Sequence, residues 1–181
     1  MSATKAKKFA AALDNCPLGE PGWRQFESVC IDVLTWLFVP PLRAPHIQSR
    51  TINGTERRDA VFPNRNLNAT ANWGYLHHKL EAELILFEFK NYDFSAVGAT
   101  EVTQTNGYMR SSMGKLGILC CATVPEISAF RKRNTIFSEN GRIILFLTKQ
   151  HLKEMLFIKE RGEDPSDLIL DLVEEFKLQH E

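Results

Sequence analysis

Several features that would assign a class of protein at once are missing from this sequence. No apolar run approaches the roughly 20 residues that a membrane-spanning helix requires. Residues 1–13 contain lysines followed by only five consecutive apolar residues, which is too short a run for an export signal. No internal repeat, low-complexity tract or Gly/Ser-rich linker divides the chain. We therefore expect a soluble, cytoplasmic protein that folds as a single domain over residues 1–181.

The sequence also lacks the cysteine spacings of a zinc site or a redox motif. Its four cysteines include no CxxC pair and no histidine at the distance found in metal fingers. Because free cysteine behaves as a small hydrophobic residue, we expect four buried thiols: Cys16, Cys30, Cys120 and Cys121.

An excess of positive charge is missing as well. The formal net charge is zero, which argues weakly against a nucleic-acid partner. The charge is unevenly distributed, however, since residues 1–150 contain 18 basic and 13 acidic side chains and residues 151–181 contain 4 and 9. A mildly basic body beside an acidic C-terminal element is compatible with a DNA-binding face turned away from that element.

Common catalytic motifs are absent too: there is no Gly-rich phosphate loop and no nucleophile elbow. His77 and His78 resemble a metal pair, but neighbouring side chains do not easily converge on one ion, which favours a solvated loop. The basic run at residues 131–133 could contact phosphate, although such a run on a helix is more often a solvated face.

What is present is an alternation of helical and strand-like segments that predicts an α/β fold. Pro21-Gly22 precedes a strongly apolar helix that Pro40-Pro41 ends, and Asn53-Gly54 is a hairpin-turn signal. The predicted helices are 23–38, 99–112, 125–138, 149–159 and 165–178, and the predicted strands are 46–52, 56–62, 83–92, 116–123 and 142–147. This order predicts a mixed central sheet with helices on both faces and extra C-terminal helices.

The strand predicted at 83–92 contains two charged side chains in a strongly apolar setting. Because strand side chains alternate, Glu88 and Lys90 share one face of the sheet. Burying either charge is costly unless a partner such as a cation compensates it. A second Glu-x-Lys at residues 175–177 lies in a predicted helix, where residues two apart do not face each other, so the strand context distinguishes the first.

The preceding strand brings a second acid to this region. Neighbouring strands lie about 4.8 Å apart, so Asp59 could sit beside Glu88. Two carboxylates and the backbone carbonyl of Phe89 between them would form a hard oxygen site suited to Mg²⁺ or Mn²⁺. The alternative is a cross-strand salt bridge, either Asp59–Lys90 or Arg57–Glu88.

This arrangement resembles the restriction-endonuclease-like superfamily, whose signature PD-(D/E)xK lies on an αβββαβ core. Asp59 matches the first acid, Glu88 the second and Lys90 the lysine, whereas Arg58 stands where the pattern has proline. The resemblance covers the core from about residue 23 to residue 147 and implies catalysis with Mg²⁺ or Mn²⁺ held by the two acids.

Three further positions are similar to those of family members. Glu27 stands in the first helix, where members often have an acid that helps to bind metal, although a partly exposed glutamate is an equally good interpretation. Branches similar to Holliday junction resolvases and methyl-directed restriction enzymes have a glutamine followed by an aromatic residue, and Gln104 and Tyr108 fit that pattern. Gln104 could position water or phosphate, or it could be a buried amide satisfied by the sheet edge.

The resemblance implies an endonuclease that acts on DNA, double-stranded DNA above all, in defence against foreign DNA or in repair. Arg57, Arg58 and Tyr108 are then the candidate contacts to nucleic acid. A nuclease of this size often works as a homodimer or as a subunit of a larger complex. Two alternatives stay open: RNA cleavage, and a catalytically silent structural or nucleic-acid-binding subunit with the same fold.

Overall fold

The computed structural model describes residues 3–50 and 57–180, without the side chains of Ser49, Arg50 and Arg57. In chain order the helices are α1 (Lys5–Asp14), α2 (Trp23–Phe38), α3 (Asn72–Leu80), α4 (Ala99–Tyr108), α5 (Ile127–Asn140), α6 (Lys149–Glu160) and α7 (Asp167–Gln179). The strands are β1 (His46–Arg50), β2 (Arg57–Pro63), β3 (Leu84–Lys90), β4 (Leu116–Cys121) and β5 (Ile143–Thr148). Short 3₁₀ turns occupy Glu20–Gly22 and Ser111–Met113.

The strands form one mixed sheet in the order β1-β2-β3-β4-β5. β1, β2 and β3 pair antiparallel, whereas β3, β4 and β5 run parallel. The change from antiparallel to parallel follows from the connections, because a short connection joins β1 to β2 and a crossover through α4 joins β3 to β4. The predicted α/β class with a mixed central sheet is therefore confirmed.

Helices cover both faces of this sheet, because its side chains alternate between two apolar clusters. Phe87 and Phe89 of β3 belong to the larger cluster, which also contains the buried faces of α1, α2, α3, α6 and α7. Leu86 points to the opposite face, where α4 and α5 contribute Val102 and Ile136 to the smaller cluster. Glu88 and Lys90 have the same parity as Leu86, which places them on the α4 side.

Two helices of the structure were not among the sequence predictions. α1 buries only Ala6, Ala10 and Leu13, a face too weakly apolar to predict the helix. α3 follows a polar segment in which asparagine side chains accept hydrogen bonds from backbone N–H groups two residues ahead, as Asn66 does from Asn68. The prediction of a loop at His77 and His78 was wrong, since both lie in the last turn of α3.

Two further expectations concern the membrane and the cysteines. None of the helices within residues 3–50 and 57–180 combines the length and apolar character that crossing a bilayer demands. All four cysteines are free and buried, as predicted. The Asn53-Gly54 turn lies outside the described residues.

Candidate metal centre

Asp59 and Glu88 lie just beyond the end of the described pairing between β2 and β3. The described ladder between these strands ends at Ala60 and Phe87, so the next residues across are Asp59 and Glu88. The backbone N–H of Asp59 donates to Oε1 of Glu88 at 3.3 Å. The backbone N–H of Phe89 donates to Oδ2 of Asp59 at 3.0 Å. The two carboxylates thus accept backbone bonds across the strands and are drawn to one place on the sheet.

The environment of Glu88 opposes its negative charge. The residue is only 2% exposed. Burial raises the pKa of Glu88 from its ordinary value of 4.5 to about 8, and the charge of Asp59 adds to the increase. Lys90 and the hydrogen bond from the Asp59 backbone lower that pKa without cancelling the increase. A carboxylate in this position is stabilised by an additional cation nearby, which is the property of a metal ligand.

A third carboxylate acts on the same position from α2. Glu27 is 8% exposed, so the alternative of a partly exposed side chain is wrong. Its charge also raises the pKa of Glu88. The carboxylate accepts a hydrogen bond of 3.2 Å from Nε2 of Gln48. Glu27 is therefore held at the edge of the centre formed by Asp59 and Glu88.

Gln48 was not predicted as part of this site. It has a φ of 51°, a left-handed conformation that is costly for a residue with a side chain. In the described β1–β2 ladder Ile47 pairs with Ala60 and Ser49 with Arg58, whereas the intervening pair, Gln48 and Asp59, is missing.

Lys90 is held by a chain of polar groups from α4 and β2. Its Nζ donates to Oε1 of Gln104 at 3.2 Å. Nε2 of Gln104 in turn donates to the hydroxyl of Tyr108 at 2.8 Å. Nε of Arg58 donates to the backbone carbonyl of Tyr108 at 3.1 Å. Gln104 is exposed, so the alternative of a buried amide at the sheet edge is wrong. These hydrogen bonds hold the Lys90 ammonium near the two acids.

The structure accordingly brings most of the predicted site residues together. Hydrogen bonds join Asp59 to Glu88 and to the N–H of Phe89, and Lys90 to Gln104, while the charge of Lys90 acts on Glu88. Arg58 and Tyr108 adjoin Lys90 through Gln104. The backbone of Arg57 lies in β2, whereas its side chain lies outside the described part of the chain.

The donor groups fit a small, hard divalent cation better than a soft one. Within the described residues, no three or more His, Cys, Asp or Glu side chains are placed so that they could hold a metal ion together. Mg²⁺ commonly uses only one or two protein carboxylates, with water and substrate phosphate completing its coordination. Asp59 and Glu88, with Glu27 at the edge, match that requirement, while no thiol or imidazole belongs to the set.

Comparisons with known proteins add one distant relative. The chain is 25% identical over 162 residues to the putative transposon gamma-delta 80.3 kDa protein of Escherichia coli (strain K12). The match covers 87% of this chain and 22% of that protein, so the chain spans about a fifth of its relative's length. No protein-family model and no solved structure matches the chain.

Proposed function

We propose that this protein is a metal-dependent endonuclease that hydrolyses phosphodiester bonds in DNA. The observation that carries the proposal is the pair of half-buried Asp59 and buried Glu88, held together by backbone hydrogen bonds, with Lys90 held nearby by Gln104. The order of the elements also supports the proposal. α2 is followed by the antiparallel strands β1, β2 and β3 and then by α4 and the parallel strand β4, as in a restriction-endonuclease-like core, with α3 inserted between β2 and β3. The name of the transposon relative specifies no reaction, so the geometry is the basis of the proposal.

Each residue of the centre has a distinct task in this reaction. Asp59, Glu88 and the carbonyl of Phe89 would hold Mg²⁺ or Mn²⁺, with Glu27 contributing charge or a water-mediated contact. When bound, the ion supplies Lewis acidity towards the scissile phosphate and lowers the pKa of a bound water. The Lys90 ammonium orients the attacking water and stabilises the negative charge that develops on the phosphate oxygens.

The polar chain behind Lys90 keeps its ammonium in place. The amide of Gln104 accepts from Lys90 and donates to Tyr108, so neither end of the amide is left without a partner. An ordered ammonium loses less entropy on reaching the transition state than a free lysine side chain would. Gln104 therefore acts as a positioning residue for Lys90 as well as a contact to water or phosphate.

The substrate is DNA, with double-stranded DNA favoured, in this proposal. Arg58 and Tyr108 adjoin the catalytic groups and can contact the phosphate backbone, which positions the duplex. α7, which contains four acidic side chains and one lysine, packs on the sheet face opposite α4. This placement keeps its acidic side chains from the DNA. A homodimer remains a prediction, as does a role in defence or repair.

A cleavage assay tests the proposal. Supercoiled and linear duplex DNA should be cut with Mg²⁺ or Mn²⁺ and should stay intact in EDTA. Lys90→Ala and Asp59→Ala should each reduce the rate by about 100-fold or more while the proteins stay folded by circular dichroism. Lys177→Ala, in the second Glu-x-Lys sequence on α7, is the matched control and should cut like the wild type.

Three outcomes contradict the proposal in different ways. Full activity in either site variant removes the assigned centre. Cleavage of matched RNA but not DNA changes the substrate class. Absence of any cleavage by folded wild-type protein favours the alternative of a catalytically silent structural or nucleic-acid-binding subunit.

A further inference from the structure

A cavity beside the candidate metal centre is not explained by cleavage chemistry alone. It has a volume of about 540 Å³, within the range of small-molecule sites, and lies between α2 and β1. Trp23, Asp32, Ile47 and Gln48 are among its lining residues, and we call it the Trp23 cavity. Glu27 also lines it, so one side chain belongs both to the cavity and to the edge of the metal centre.

The apolar part of the lining is unusually open to solvent. Trp23 is 40% exposed and Ile47 is 53% exposed, although neither is needed at the surface for solubility. The guanidinium carbon of Arg24 lies 5.2 Å from the centre of the Trp23 ring. An indole with a guanidinium beside it is a platform on which planar rings stack, and stacking is tolerant of base identity.

The charges of the lining decide which part of a nucleic acid fits. Among the described residues that line the cavity, Arg24 is the one basic side chain, against the two carboxylates of Glu27 and Asp32. Such a surface repels phosphate and favours a neutral group that donates hydrogen bonds. Carboxylates and amides accept from the two N–H groups of the exocyclic amines of adenine and cytosine, whereas thymine has one ring N–H donor and no exocyclic amine.

We infer that the Trp23 cavity binds one unpaired or extruded nucleobase of the DNA next to the point of cleavage. The base stacks on Trp23 and Ile47, and Asp32 and Gln48 contact its hydrogen-bonding edge. A base that presents an exocyclic amine, such as adenine, is preferred over thymine. The inference rests on the proposed function and names a feature of its substrate: DNA with an unpaired nucleotide near the cleaved bond.

A binding experiment tests the inference separately from catalysis. Fluorescence anisotropy in EDTA would compare one labelled duplex in three forms, with a single adenine bulge, a thymine bulge or an abasic bulge. The wild type should bind the adenine bulge about tenfold more tightly than the abasic bulge, because one stacked base is gained. The thymine bulge should bind with an intermediate affinity.

Variants assign the effect to the cavity. Trp23→Ala should abolish the preference for the adenine bulge over the abasic bulge. Phe157→Ala removes an aromatic residue of α6 that is 36% exposed and is not among the cavity residues, so this control should keep the preference. Asp32→Asn, a change of an exposed side chain that should leave folding intact, should remove the difference between adenine and thymine bulges.

Equal wild-type affinity for the adenine and abasic bulges would overturn the inference, as would a preference that survives in Trp23→Ala. Loss of the preference in Phe157→Ala would overturn it too, because the effect would then be unspecific. The proposed function has a different readout. Mg²⁺-dependent cleavage of the same duplexes can succeed without a bulge preference, and a bulge preference in EDTA can persist in a protein that does not cut.

Discussion

Residue 88 is a buried acid. Its negative charge must be offset by nearby polar groups or cations, whereas water solvates the charge of a surface acid. Glu88 lies at the end of an apolar strand, where it accepts a hydrogen bond from the backbone N–H of Asp59 and is stabilised by the charge of Lys90. An uncompensated charge there costs free energy in the folded state. A bound cation would offset this cost, so we expect the protein to be less stable without metal than with it.

The raised pKa of Glu88 predicts how stability without metal depends on pH. An acid with a higher pKa in the folded than in the unfolded state takes up a proton on folding, so stability falls as pH rises between the two pKa values. In EDTA the free energy of unfolding should therefore fall from about pH 4.5 to about pH 8, by up to about 1.4 kcal/mol per pH unit.

Urea unfolding at several pH values measures this dependence. Glu88→Gln keeps an oxygen that accepts from the Asp59 backbone but has no charge, so it should lose this fall and exceed the wild type in stability above pH 8. The same substitution at exposed Glu174 should leave the wild-type profile unchanged. A Glu88→Gln profile parallel to the wild type would show that residue 88 titrates normally.

At the scale of residues, sequence reasoning found the acids and the lysine but not Gln48. Asp59, Glu88 and Lys90 stand out because charges are unusual in apolar strands. The residue type of Gln48 did not single it out, and its left-handed backbone was not predicted. A two-residue turn centred on residues 53 and 54 does predict that Gln48 faces Asp59, which is the register of the described strands.

At the scale of elements, strongly periodic segments were predicted and weakly apolar ones were not. α2 and β3 have large apolar side chains at the spacing of a helix and a strand, so their positions follow from the sequence. α1 packs through alanines, and α3 contains Gly74 and begins after a series of asparagine turns. In both, tertiary packing decides the helix, and intrinsic propensity is a weak guide.

Two glycines that flank the end of α4 should respond oppositely to alanine. Gly107 lies within α4, and a Cβ there would meet no atom within 4 Å. Gly107→Ala should stabilise the protein by about 0.5–1 kcal/mol, because alanine loses less entropy in a helix. Gly114 has a φ of +89°, and a Cβ there would lie 1.9 Å from the carbonyl oxygen of Glu81.

Gly114→Ala should therefore destabilise the protein by about 2–4 kcal/mol, through both the clash and the backbone conformation. Thermal or urea unfolding of the two variants beside the wild type measures both effects. A destabilised Gly107→Ala protein would indicate that the end of α4, next to Tyr108, depends on a backbone that alanine disfavours.

At the scale of the whole molecule, the sheet separates two chemical environments. The face covered by α4 and α5 holds Glu88, Lys90 and Gln104, while the other face carries the larger core and the acidic helix α7. The zero net charge of the chain thus conceals an asymmetry that composition alone did not reveal. The sequence showed that acidic residues are concentrated near the C-terminal end, but not on which face of the sheet they lie. That depends on which face each helix covers.

The central claim is that Asp59 and Glu88 bind one divalent cation, and isothermal titration of Mn²⁺ into metal-free protein tests it most directly. The wild type should give a saturable heat with a defined stoichiometry. Glu88→Gln should weaken the affinity by about tenfold or more, whereas Glu174→Gln should leave it unchanged. Absence of saturable binding by the wild type, or equal affinity in Glu88→Gln, would contradict the account.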